Sequence, residues 1–209
     1  MVTPVDTAEV RTALAQLAEI HAQVLRSEVF SGYRTRPMIC TALLALTAAL
    51  LQATVFPSHD AGAYARLWIV TAGLCTTLCV TDLFVHTWRD RASAERRRVL
   101  KVSSQFAPAF VAGSILPLVL VRPELGAVGL LPGLWALVFG LGVFASRPFL
   151  PRAIGYVGLW YCGSGVVQLL QAGAAVPGPW GMGITFCVGQ ALTACILHFG
   201  IERKTAGEA

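Results

Sequence analysis

Residues Leu67–Trp88 read LWIVTAGLCTTLCVTDLFVHTW, and the chain continues at once into Arg89-Asp90-Arg91. These 22 residues carry one carboxylate and no Lys or Arg. At 1.5 Å per residue a helix of that length spans about 33 Å, enough for a hydrocarbon core of roughly 30 Å. A basic run directly after an apolar span marks a cytoplasmic boundary. The stretch therefore predicts a membrane-crossing helix.

Five further stretches repeat the pattern: Pro37–Phe56, Val102–Val121, Gly126–Ala145, Ala153–Ala172 and Trp180–Phe199. The whole chain is 56% hydrophobic and only 13% charged. A helix that is apolar all round must be surrounded by protein or lipid, and six of them leave too little polar sequence to cover each other. Lipid demands that backbone polar groups be satisfied internally, which selects helices; a β-barrel would show shorter alternating segments. The expected fold is all-α, a polytopic integral membrane protein with a six-transmembrane-helix bundle. Residues 1–36 form a cytoplasmic amphipathic segment, 37–200 the transmembrane domain and 201–209 a cytoplasmic tail.

The formal charge of +5 is distributed on one side. Arg11, Arg26, Arg34 and Arg36 precede the first span, and Arg89, Arg91, Arg96, Arg97, Arg98 and Lys101 separate the second from the third. Arg147 and Arg152 lie between the fourth and fifth, and Arg203 and Lys204 follow the sixth, leaving only Arg66 and Arg122 opposite. The positive-inside rule then places both termini in the cytoplasm of a cell inner membrane, in agreement with an even number of spans. Basic loops in this arrangement set topology and meet anionic lipid, so the lipid bilayer is the expected partner and nucleic acid is not. The first apolar run begins behind a long charged segment and lacks the pattern of a cleaved leader, so a retained signal anchor is expected.

Ahead of the bundle, Asp6 and Glu9 match a helix-start pattern, with Thr7 a competing cap. Val10, Leu14, Leu17, His21, Val24 and Leu25 then recur near helical spacing, which predicts an amphipathic helix over Thr7–Val29 lying on the membrane face or under the bundle. The Ser93-Ala94-Glu95-Arg96-Arg97-Arg98 stretch is expected to continue as helix into the third span. Cys40, Cys75, Cys79, Cys162, Cys187 and Cys195 all fall inside spans, where a thiol packs as a small hydrophobe. Gly129 and Gly133 have the small-xxx-small spacing that lets helix backbones approach, either within the chain or across a homodimer. Pro108, Pro117 and Pro132 each lack a backbone donor and are expected to kink their spans. Trp68, Trp88 and Trp180 fit interface belts. Trp135, Trp160 and Tyr161 lie deeper and suit the wall of an apolar pocket. Gln52, Gln168, Gln171 and Gln190 are amides able to bond between helices or line a polar path.

An ionisable group inside a span is costly and is a functional candidate by default. Asp82 is such a group. At about 100° per residue, Cys75, Cys79, Asp82 and His86 form one stripe, and Asp82 and His86 are close enough to touch. This pair is the expected ion or proton path. The sixth span runs in the same direction and offers Cys195 and His198 at a similar depth to His86. Were the second and sixth spans neighbours, His86, His198, Asp82 and Cys195 would make a metal-binding set, and His86 with His198 a pair of axial haem ligands. No phosphate-binding loop is present, and Gly163-Ser164-Gly165 lacks the spacing of a nucleophile elbow.

Three functions follow as expectations: a small inner-membrane transporter or channel-like protein with its polar path at Asp82; a metal- or haem-binding redox or sensor protein using His86 and His198; and a regulatory scaffold that binds a partner through its N-terminal helix.

Overall fold

A computed structural model of the chain describes residues 16, 35–55, 60–89, 93–122, 124–173 and 176–199, with the side chains of 86–89 and 93–101 outside that description. The expected N-terminal amphipathic helix lies outside the described residues. Six α-helices follow one another: α1 (Thr35–Thr54), α2 (Ala61–Arg89), α3 (Ser93–Leu120), α4 (Leu131–Ser146), α5 (Ile154–Leu170) and α6 (Pro179–Leu197). The described residues contain no strand. Single 3-10 turns at Val128–Leu130 and Arg147–Phe149 bracket α4.

The protein is an all-α bundle, and among the described residues five helical spans are long and apolar enough to cross a membrane. The remaining apolar helix, α5, has 17 residues, or about 26 Å, at the short end of what a bilayer accepts. The outward side chains agree with a lipid solvent. Leu118 is 69% exposed and Leu170 82%, and Leu43, Val70, Leu74, Phe84, Ile115 and Leu141 join them around the surface. Apolar exposure on this scale is untenable in water and unremarkable against acyl chains.

Several boundaries differ from the apolar stretches for identifiable reasons. α2 begins six residues before Leu67, because Asp60 caps it. Asp60 Oδ2 accepts from the Ala63 N–H at 2.8 Å and Oδ1 from the Gly62 N–H at 3.2 Å. These two amides, assisted by Arg66 with Nη2 3.6 Å from Oδ2, hold the Asp60 carboxyl below the usual carboxylate range. A depressed native pKa stabilises the fold at every pH above the ordinary value and loses that contribution as pH falls through the native one. The melting temperature of wild type in detergent should therefore exceed that of Asp60→Ala near neutrality. The gap should close in acid; a gap that persists below the native pKa would show that the cap is not electrostatic.

α3 runs unbroken from Ser93, as its charged start predicts, with Pro108 and Pro117 inside it. Pro132 sits in the first turn of α4. No intrahelical donor is required there, so the expected kink at Pro132 has no basis. Trp68 is not an interface residue: it is 2% exposed, and its indole N–H donates to Gln52 Oε1 at 2.8 Å. Gln52 in turn donates through Nε2 to the Pro177 carbonyl at 3.1 Å. One buried amide thus ties α1 to α2 and to the connection before α6, the kind of polar glue that substitutes for the hydrophobic effect between helices in lipid.

The helices pack in two close pairs. In α4 and α5 the backbones touch: a Cβ built on Gly133 would lie 2.7 Å from Leu169 Cγ and 2.8 Å from the Gly165 carbonyl oxygen. Gly140 meets Cys162 and Gly158 in the same way one level further along. In α1 and α6, Gly183 lies against Ala49, and Ala42, Ala45, Ala48 and Ala49 form the buried stripe of α1. Gln168 Nε2 to Thr185 Oγ1 at 2.9 Å and Trp160 Nε1 to the Thr185 carbonyl at 3.0 Å join the two pairs through α5 and α6. α3 leans on α4, where Gly142 accommodates Phe106 and Ala109. The neighbours therefore run α2, α1, α6, α5, α4, α3, and among the described residues the seam between α2 and α3 is the most sparsely packed of these.

Candidate functional site

Behind that seam lies a cavity of about 490 Å³. α2 contributes Trp68 through Thr77 on one side and α3 contributes Phe106 through Leu118 on the other. Thr41 and Ala45 of α1, Trp135 and Phe139 of α4, and Met182, Phe186 and Gln190 of α6 close it from behind. Its volume is that of a small-molecule site, and its mostly apolar lining with a few polar groups matches such sites in kind. No Asp, Glu, Lys, Arg or His lines it.

The wall on the α3 side is made by a proline. Pro117 has no N–H, so the carbonyl of Gly113, four residues earlier, has no helical donor. Trp135 supplies one: its indole Nε1 donates to the Gly113 oxygen at 2.7 Å. The indole is thereby fixed as a flat surface of the cavity. Gly113 leaves its own face open, since a Cβ there would meet only Val138 Cγ1, at 3.9 Å. Across the cavity Gly73 meets nothing within 4 Å.

The two ends differ chemically. Ala49, Trp68 and Met182 belong to one buried cluster, which fixes a common level on α1, α2 and α6. Eight residues further along α2 and α6 stand Thr76 and Gln190, and eight residues back along the antiparallel α1 stands Thr41. All three line the cavity, about 12 Å nearer the Asp82 end. Trp68, Pro117, Trp135 and Met182 make the other end apolar. Thr41 spends its hydroxyl on the Met38 carbonyl at 2.9 Å, Thr71 on Leu67 at 2.8 Å and Ser114 on Phe110 at 2.8 Å. Thr76 and Gln190 make no such bond among the described residues.

The residues singled out in the sequence are distributed around this cavity. Cys75 lines it. Cys79, one turn on, packs against Met38, Ala194 and Leu197. Asp82 is half-buried on the same stripe, inside the apolar part of α2. The backbone of His86 continues the helix, and its side chain is outside the described residues. α6 ends at Leu197, with His198 and Phe199 in a π-type turn, their rings 5.3 Å apart and both exposed. Cys195 is exposed as well.

The expected metal and haem set includes His86, whose side chain lies outside the described residues. α1 packs against both α2 and α6, which share fewer contacts with each other than either shares with α1. Among the described residues no three His, Cys, Asp or Glu side chains gather as a metal site would require. The described cysteines are all free thiols. Gly129 and Gly133 are both buried within the chain, Gly133 against α5. Of the deep aromatics, Trp135 walls the cavity. Tyr161 stands behind it, fully buried against Gly189 and between Phe139 and Phe186 at 4.7 and 5.4 Å between ring centres.

Sequence reasoning missed the cavity as a unit, although Pro117, four residues after Gly113, signals a free carbonyl on α3. Neither a family model nor a curated protein nor a solved structure matches the chain.

Proposed function

We propose that the chain is a small carrier of the cell inner membrane, with both termini cytoplasmic, that admits a lipid-soluble compound through the α2–α3 seam and exchanges it for a proton at Asp82. The observation that carries this reading is the cavity itself. It is enclosed by five helices, opens along the sparsely packed α2–α3 seam, and is lined by no charged group. A site with that lining suits a neutral, apolar molecule that reaches it through lipid.

Asp82 supports the coupling. It lies seven residues after Cys75 on the cavity-facing stripe of α2, about 10 Å beyond it and toward the basic, cytoplasmic end. A carboxylate is kept within an apolar span at a cost, and proton relays are among the uses that recur for such groups. His86, one turn further on, is the next group on the route to the cytoplasm.

The test uses proteoliposomes made acid inside, with potassium on both sides and valinomycin to carry the compensating charge, and with the internal pH read by entrapped pyranine. Adding N-phenylnaphthylamine, a flat and uncharged lipid-soluble dye, should release protons at least tenfold faster than from protein-free vesicles. Passive entry of the dye moves no protons, so equal rates in the two preparations would refute coupled exchange.

A further inference from the structure

We propose that the cavity is a site for a flat, uncharged, lipid-soluble carbonyl compound, of the chemical class of quinones, held with its carbonyl oxygen at the Gln190 and Thr76 end. The inference rests on the cavity being a binding site and names what it takes.

Three observations define the occupant. First, no ionisable residue other than the Cys75 thiol lines the cavity, so neither an ion nor a charged lipid headgroup has a counter-charge there. A charge in so apolar an enclosure would remain unpaired, at heavy cost. Second, the walls are aromatic: Trp68, Phe106, Phe110, Trp135, Phe139 and Phe186. Phe139 stands edge-on to both Phe106 and Phe186, with ring centres 5.2 and 5.7 Å away. Such walls accept a flat ring by offset or edge contact better than they accept a flexible chain.

Third, two polar groups at the Asp82 end of the cavity are uncommitted. The other cavity-lining hydroxyls of Thr41, Thr71, Thr77 and Ser114 are bonded to carbonyls of their own helices. The carboxamide of Gln190 and the hydroxyl of Thr76, on helices that run the same way and at the same level, have no partner among the described residues. An amide N–H and a hydroxyl in an apolar site gain most from an acceptor that arrives without charge. A ring carbonyl is such an acceptor. The ester carbonyl of a bilayer lipid presents the same oxygen, followed by a chain instead of a ring.

Tryptophan quenching separates these cases in full-length protein held in phosphatidylcholine nanodiscs. Decylubiquinone, whose fully substituted ring does not alkylate thiols, should quench saturably. Gly113→Leu fills the cavity from a wall with room for a side chain and should abolish the saturable part. Gln190→Leu, close in size and favourable in a membrane helix, should raise the apparent Kd roughly threefold to tenfold, the value of one hydrogen bond. Thr76→Val, a second isosteric change, should raise it by a similar factor should Gln190→Leu fail to fold.

Saturable quenching that is lost in Gly113→Leu yet unchanged in both polar variants would overturn the assignment of the carbonyl end. Absence of saturable quenching by the quinone, with Gly113-dependent quenching by phosphatidylcholine brominated on its acyl chains, would overturn the quinone class and identify bilayer lipid as the occupant. The carrier reading survives both results. Failure of Gly113→Leu to alter quenching by both probes would show that the cavity binds neither, and this alone removes the shared premise.

Discussion

Replacing Gly133 with leucine should destabilise the bundle by about 3 kcal/mol, the upper range for overpacking a close helix contact. The reason is geometric. A Cβ at that position would come within 2.7 Å of Leu169 Cγ and 2.8 Å of the Gly165 oxygen, and the second of these is backbone. Rotamer changes relieve the first clash and leave the second, so α4 and α5 must separate. Separation forfeits the dispersion contacts that hold helices together in lipid, where water supplies no driving force. Gly163→Leu is the matched control, because that glycine lies on the same pair of helices, is exposed, and has nothing within 4 Å of its missing Cβ. Thermal melting in detergent should show a large drop for Gly133→Leu and little change for Gly163→Leu. Equal drops would mean that the helix surface and not the α4–α5 contact is responsible.

Asp82→Asn should lower dye-driven proton release at least tenfold, to the level of protein-free vesicles. Asparagine keeps the size and the hydrogen-bonding capacity of aspartate and cannot take up or release a proton. The substitution also removes an ionisable group from an apolar span, which favours insertion. Loss of expression is therefore not expected, and loss of release would isolate the proton step. The binding of N-phenylnaphthylamine, followed by its own fluorescence, should persist in the variant because Asp82 does not line the cavity. Retained release with retained binding would remove Asp82 from the mechanism.

The fold was largely legible in the sequence, since span length and apolar composition are local properties that lipid converts directly into helices. The boundaries shifted where a side chain acted on a backbone end. Asp60 extended α2 outward, and Pro132 began a helix instead of bending one. Trp68 shows the limit of composition as a guide. An indole at the expected depth reads as an interface anchor until Gln52, on another helix, takes its N–H. The site was legible only in fragments. The stripe from Cys75 to Asp82 follows from helical period and is half-buried as such a stripe should be. Which helix that stripe faces is a property of the packing order, and no periodicity encodes it. The small residues of α1 and α6 bring those two helices together, a pairing that neither helix announces by its own period. The cavity needed the same knowledge, because its lining comes from five helices.

Proton release from acid-inside proteoliposomes, compared between wild type and Gly113→Leu, tests the cavity as the working site most directly. Gly113 is far from Asp82 in the chain and has space for a side chain, so the variant should melt as wild type does while its cavity is filled. If the cavity is the working site, N-phenylnaphthylamine releases protons at least tenfold more slowly from Gly113→Leu vesicles than from wild type. Equal release from the two, with equal reconstitution, would contradict it.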